Sequence, residues 1–127
     1  MLSRAAASLA ALIAVLAVLL TGCGGSSGTG GSSHVNADNA TVIDVRTPAE
    51  YAAGHLRGAI DIDLAGADFA AKIDALPRGG SYLLYCASGV RAGQAATIMR
   101  QDGFTDVTNL GGMQDAAKKT GLPVVTT

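Results

Sequence analysis

Apolar residues are unevenly distributed along the chain, and their pattern divides it into three parts. Residues 5–20 are apolar except for Ser8 and follow the basic residue Arg4. Residues 24–33 contain only Gly, Ser and Thr, a composition that favours a flexible tether over a packed core. From about residue 35, short apolar runs alternate with amphipathic segments. This alternation predicts one folded α/β domain.

Within that domain, the spacing of apolar positions predicts four strands and four helices. Strands are expected at 41–45, 59–62, 81–85 and 106–110, and helices at 48–53, 66–76, 91–101 and 112–120. Thr47, Pro48 and Glu50 form a helix-start pattern, and Gly103 is the expected C-cap of the third helix. Because the connections are short, we expect a small three-layer α/β domain, with a mostly parallel central sheet and helices on both faces.

Composition narrows the class of protein further. The 127 residues are 49% apolar and 15% charged, with a net charge of −1 and no tryptophan. This charge balance argues against a basic nucleic-acid-binding surface. Cys23 and Cys86 are the two cysteines, which are too few for a scaffold of several disulfides.

The amino-terminal segment has the layout of a secretory signal, with a basic start, an apolar stretch and small residues before a cut. The sequence Leu20-Thr21-Gly22-Cys23 resembles the lipobox of bacterial lipoproteins. The resemblance implies cleavage before Cys23 and lipidation of its thiol and new amino terminus. The alternative is an uncleaved anchor helix, and both interpretations place the domain outside the cytoplasmic membrane. We therefore expect a signal peptide at 1–22, a lipidated Cys23 with a linker to residue 34, and the domain at 35–127.

Cys86 is the candidate centre of chemistry, because it lies between an apolar strand and a predicted helix. Ligands of parallel α/β proteins bind beyond the carboxyl ends of strands. Inward backbone N–H groups, the helix dipole and the Arg91 guanidinium would each lower the pKa of this thiol, and Gly89 permits a tight bend. A nucleophilic thiolate and a buried structural cysteine both remain open on this spacing alone. No Cys or His lies at metal-ligand spacing around Cys86, so no metal site is expected.

Three motifs together resemble those of rhodanese domains and span residues 41–125. The first is Ile43–Tyr51 with Gly54–Ile60, the second is Tyr85–Ala92, and the third is Asn109–Met113 with Gly121–Val124. The family is one of sulfurtransferases that work without a cofactor. The resemblance implies that Cys86 accepts a sulfane sulfur as a persulfide, from a donor such as thiosulfate or polysulfide, and passes it to a thiol or cyanide.

The same resemblance assigns roles around the cysteine. Ala87, Ser88, Gly89 and Val90 would form the anion-binding loop, and Arg91 would stabilise charge. The loop has six residues from Cys86 to Arg91, whereas related phosphatases and arsenate reductases have one residue more. The loop length therefore favours sulfur transfer. Many thiosulfate-using members carry a basic residue at the position of Ala87, a departure that favours a neutral or protein-bound donor.

The remaining titratable residues have structural interpretations. Asp44 and Arg46 are expected to form a supporting ion pair near the loop, and His55 a hydrogen bond that stabilises a turn. The sequence thus predicts a lipid-anchored sulfurtransferase on the outer side of a bacterial membrane. It leaves the oligomeric state open, with a monomer favoured. The alternative is a rhodanese-fold binding or redox-sensing module with little turnover.

Overall fold

The computed structural model describes residues 33–126. The predicted signal peptide, Cys23 and most of the linker lie outside the described residues. Among residues 33–126, no helix has both the length and the apolarity needed to cross a membrane.

The domain contains a four-stranded parallel sheet, two further short strands and four helices. In chain order, the elements are β1 (Thr41–Asp44), α1 (Pro48–Ala53), β2 (His55–Leu56), β3 (Ile60–Asp61), α2 (Phe69–Asp74), β4 (Ser81–Cys86), α3 (Val90–Gln101), β5 (Asp106–Gly112), α4 (Met113–Thr120) and β6 (Val124–Val125). The main sheet has the order β3-β1-β4-β5, and each neighbouring pair is parallel. The predicted α/β class and the predicted sheet are confirmed.

Strand β4 explains the three layers, because its successive side chains point to opposite faces of the sheet. Tyr82, Leu84 and Cys86 belong to a core that includes residues of α2 and α3. Leu83 and Tyr85 belong to a second core that includes residues of α4. All five side chains are buried, so β4 is covered by helices on both faces.

The predicted start of the first helix is confirmed. The Thr47 hydroxyl accepts a hydrogen bond from the Glu50 N–H at 3.3 Å, and the Glu50 carboxylate accepts one from the Thr47 N–H at 3.0 Å. This reciprocal pair satisfies two N–H groups that have no partner within the helix. The Glu50 side chain is thereby held in place at the start of α1.

The main differences from the predicted elements concern the start of α2, the cap of α3 and a second pair of strands. Helix α2 begins at Phe69 rather than at residue 66, because a turn closed by the Gly66 N–H and the Asp63 carbonyl precedes it. Asp102 caps α3, one residue before the predicted cap Gly103, which has a φ of +96°. Strands β2 and β6 form an antiparallel pair that the sequence did not predict. Each strand has only two residues, too few for a detectable periodicity.

The parallel sheet brings the carboxyl ends of its strands to one edge, which we call the carboxyl edge. Asp44, Asp61, Cys86 and Gly112 end β1, β3, β4 and β5, respectively. In parallel α/β sheets, this edge is the usual location of a ligand site.

Candidate active site

The Cys86 side chain forms the floor of a tight loop that leads into α3. Gly89 is the N-cap of α3 with a φ of +94°, a conformation that glycine adopts without the cost that a Cβ would impose. This bend directs the Gly89 N–H toward the Cys86 sulfur, which it meets at an N···Sγ distance of 2.9 Å. The cysteine is fully buried, whereas the next two residues of the loop, Ala87 and Ser88, are exposed.

Backbone groups control the ionisation of the cysteine. Burial is the largest single influence on the pKa of the Cys86 thiol and raises it. The backbone N–H groups of Ala92, Ser88, Gly89 and Arg91 act in the opposite direction and together outweigh it. The pKa of Cys86 therefore lies below its ordinary value, which favours the thiolate, the nucleophilic form of cysteine.

The junction between β5 and α4 supports the back of this loop. Gly112 approaches the Ala87 carbonyl so closely that an added Cβ would lie 2.6 Å from the oxygen. A Cβ on Gly89 would lie 3.0 Å from the Gly111 Cα. Asn109 ties the two segments together, donating to the Gly89 carbonyl at 3.0 Å and accepting from the Gly111 N–H at 2.8 Å. The third sequence motif thus packs directly against the second.

The Arg91 side chain is paired with a carboxylate that the sequence analysis assigned only to helix capping. Its two terminal nitrogens lie 2.9 and 3.0 Å from the two carboxylate oxygens of Glu50. Hydrogen bonds from Arg91 and from the Thr47 N–H lower the pKa of Glu50 to about 2. The Glu50 carboxylate therefore balances the charge of Arg91, and backbone N–H groups supply the main stabilisation of the Cys86 thiolate. The sequence offered one sign of a role for Glu50 at the site, namely that this glutamate belongs to the first motif.

The predicted pair of Asp44 and Arg46 is present and buried. The Arg46 Nη2 atom lies 2.7 Å from an Asp44 carboxylate oxygen and 2.6 Å from the Gly54 carbonyl. Burial of both side chains is compensated by these hydrogen bonds. The pair fixes the loop after β1 to the end of α1, and so has the structural role expected of it.

His55 also has the expected structural contact. Its Nδ1 atom lies 2.9 Å from the Tyr51 carbonyl oxygen, and its ring stacks on the Tyr51 ring with centroids 3.7 Å apart. The Tyr51 hydroxyl in turn donates to the Ala59 carbonyl at 2.7 Å. These contacts join α1 to the segment before β3.

The predicted loop residues contribute in two ways, through backbone N–H groups and through exposed side chains. Ser88, Gly89 and Arg91 turn backbone N–H groups toward the sulfur. Ala87, Ser88 and Val90 have exposed side chains, and Val90 is 66% exposed. These three side chains, which we call the rim, are uncharged. The charges beside them are those of Arg91 and its partner Glu50.

Other features of the described residues lie away from this loop. No three His, Cys, Asp or Glu side chains between residues 33 and 126 come together as metal ligands. A hollow of about 270 Å³ is lined by residues that include Thr41, Arg57 and Leu122. It lies at the amino end of β1, opposite to Cys86.

Comparisons with known proteins agree with this geometry. A family model described as "Rhodanese-like domain" matches residues 32–119. A sulfurtransferase of Allochromatium vinosum is 31% identical over 90 residues, covering 71% of this chain and 82% of that protein. The thiosulfate sulfurtransferase PspE of Escherichia coli is 36% identical over 75 residues, covering 59% of this chain and 72% of that protein.

Solved structures show the same fold. A structure described as rhodanese with anions from E. coli has a TM-score of 0.57 and 30% identity, covering 73% of this chain and all of that one. The Alr3790 protein from Anabaena has a TM-score of 0.61 and 28% identity, covering 70% and 79% of the two chains.

Proposed function

Because the chain belongs to the family of rhodanese-like domains, we propose that it is a sulfurtransferase that carries sulfur as a persulfide on Cys86. The observation that carries the proposal is the position of the Cys86 sulfur, which lies 2.9 Å from the Gly89 nitrogen at the floor of a loop lined with N–H groups. Such a loop stabilises a thiolate without a separate base.

The reaction has two displacement steps at sulfur. The Cys86 thiolate attacks the outer sulfur of a sulfane donor, such as thiosulfate or a polysulfide. The donor's S–S bond breaks, and its electron pair leaves with the donor fragment. A thiolate or cyanide then attacks the outer sulfur of the persulfide, and Cys86 leaves as a thiolate. No external oxidant or reductant is consumed, as in thiol–disulfide exchange.

Intact-mass measurement tests this function. The full chain is exposed to thiosulfate or to a polysulfide, freed of donor, and then treated with cyanide. We expect one added sulfur atom that cyanide removes, and no such change in Cys86→Ser. Failure of every donor to add sulfur would overturn the enzyme proposal and favour a binding or redox-sensing module.

We also propose that the mature protein is anchored through a lipidated Cys23 on the outer side of the membrane. The lipobox-like sequence supports this, and the position of the described amino terminus is compatible with it. The Val35 N–H donates to the Lys119 carbonyl near the carboxyl end of α4, whereas the contact between Gly112 and Ala87 lies just before its amino end. Cys23→Ala should be released from membranes or remain unprocessed, and unchanged maturation and membrane retention would contradict lipidation.

A further inference from the structure

The cation in the sulfur-binding loop is already neutralised. Both terminal nitrogens of Arg91 bind the two Glu50 oxygens at 2.9 and 3.0 Å. Arg91 and Glu50 are both about one-third exposed, so an entering donor would meet the two charges together. An anionic donor therefore gains little net attraction from this guanidinium.

The wider carboxyl edge is acidic. Asp44 and Asp61 are cross-strand partners at the ends of β1 and β3, and Asp63 follows two residues later. Burial, followed by the charges of Asp44 and Asp63, raises the pKa of Asp61. Asp115 lies in the first turn of α4, with its carboxylate 3.4 Å from the position of a Cβ on Gly111.

The cations nearest to these carboxylates are already paired. At the carboxyl edge, Arg46 is bound to Asp44, and Lys72 of α2 is bound to Asp68. Arg100 binds the Val107 carbonyl near the amino end of β5, and Lys119 of α4 binds the Leu110 carbonyl in the same strand. These four cations are therefore occupied by partners within the described domain.

Apart from the Arg91–Glu50 pair, the loop surface that a donor would touch is uncharged. Ala87 and Ser88 are exposed, and Val90 is 66% exposed beside them. Val90 is one of the few large apolar side chains of the described residues that are so exposed. A small organic group would make apolar contacts there, whereas a sulfonate would find no free cation.

From this arrangement we propose that the preferred donor is an organic hydropersulfide, R–S–SH, whose R group is neutral or cationic, and that Glu50 determines this preference over the thiosulfate dianion. The inference rests on the proposed function. The Cys86 thiolate forms a bond to the outer sulfur while the donor's S–S bond breaks. The R–S⁻ group leaves with the electron pair, and the proton remains on the transferred sulfur.

Donors of one chemistry and different charge test the proposal on the full chain. Hydropersulfides of cysteamine and of N-acetylcysteine differ in carrying an ammonium or a carboxylate. We expect the second-order rate of Cys86 persulfide formation to be highest for cysteamine, lower for N-acetylcysteine and lowest for thiosulfate. Added salt should raise the thiosulfate rate by screening repulsion. A thiosulfate rate that equals or exceeds both hydropersulfide rates would overturn the inference and leave the sulfurtransferase intact.

Two variants locate the cause of the preference. Glu50→Gln keeps a side chain suited to the capping box but frees the Arg91 charge, and Ala87→Lys adds a cation to the rim. Each should raise the thiosulfate rate relative to the cysteamine hydropersulfide rate by about tenfold, as expected for one charge near a partly exposed site. Ala87→Gln is the neutral comparison for Ala87→Lys, and its ratio should lie well below that of Ala87→Lys. An unchanged ratio in Glu50→Gln and Ala87→Lys would overturn the role of charge, and no persulfide from any donor would overturn both proposals.

Discussion

Gly112 packs so closely against Ala87 that no residue with a Cβ fits at position 112 unless its neighbours shift. A Cβ on Gly112 would lie 2.6 Å from the Ala87 carbonyl oxygen, so an alanine there must displace the loop that holds the Cys86 sulfur. The contact links β5 to the geometry of the thiolate.

Gly112→Ala should therefore slow persulfide formation about tenfold or more, because misplacement of the loop removes N–H groups from the sulfur. Gly79→Ala is the matched control, since a Cβ at Gly79 meets nothing within 4 Å. Single-turnover mass spectrometry measures the rate in both variants. A Gly112→Ala rate equal to that of Gly79→Ala would show that this contact does not position the loop.

The Tyr85 hydroxyl accepts a hydrogen bond from the Leu56 N–H at 3.0 Å. Both residues are fully buried, so Tyr85→Phe would leave the Leu56 donor without its partner. We expect a loss of about 1–3 kcal/mol in the free energy of unfolding, measured by urea denaturation. A loss below about 0.5 kcal/mol would mean that the Leu56 N–H finds another acceptor.

Asp61 opposes Asp44 across neighbouring parallel strands, and the pKa of Asp61 is raised by burial and by nearby carboxylates. Since the folded state holds this proton more tightly than the unfolded state does, stability falls as the pH rises above the ordinary carboxyl value of about 4. Asp61→Asn should be more stable than the parent at pH 7 by about 0.2–1 kcal/mol. Urea denaturation at pH 7 and pH 3 should show this gain shrinking in acid, and a gain that grows in acid would contradict the assignment.

Glu50 should show the opposite dependence, because its folded-state pKa is lowered to about 2 by Arg91 and the Thr47 N–H. Its ion pair stabilises the fold above the unfolded carboxyl pKa of about 4.3 and loses this effect as the pH falls toward 2. Glu50→Gln should cost up to about 1 kcal/mol at pH 7, the range for an exposed pair. Denaturation curves of the two proteins should converge near pH 2, and a constant difference would exclude this titration.

Local patterns predicted most of the fold. The β4 strand, the Thr47–Glu50 capping box and the Cys86 loop each depend on residues that are close in sequence, so their spacing carries the signal. The β2–β6 pair was missed because two-residue strands have no detectable periodicity. Parallel order then followed from short connections between alternating strands and helices.

The charge balance of the site depends on contacts between distant parts of the chain. Glu50 and Arg91 are 41 residues apart, and the sequence explained Glu50 completely as a capping residue. The contact between Gly112 and the Ala87 carbonyl likewise appears only when β4 and β5 are placed side by side. Sequence analysis therefore identified Cys86 and its loop, but it did not identify Glu50 as the carboxylate that neutralises Arg91.

The central claim is that backbone N–H groups lower the pKa of Cys86 and so favour its thiolate. Thiolate absorbance near 240 nm, followed across pH for the full chain with the Cys86→Ser spectrum subtracted, measures this ionisation and removes the contribution of Cys23. The account predicts a midpoint below the ordinary cysteine pKa of about 8.5. A midpoint at or above that value would show that burial outweighs the N–H groups, and would contradict the account.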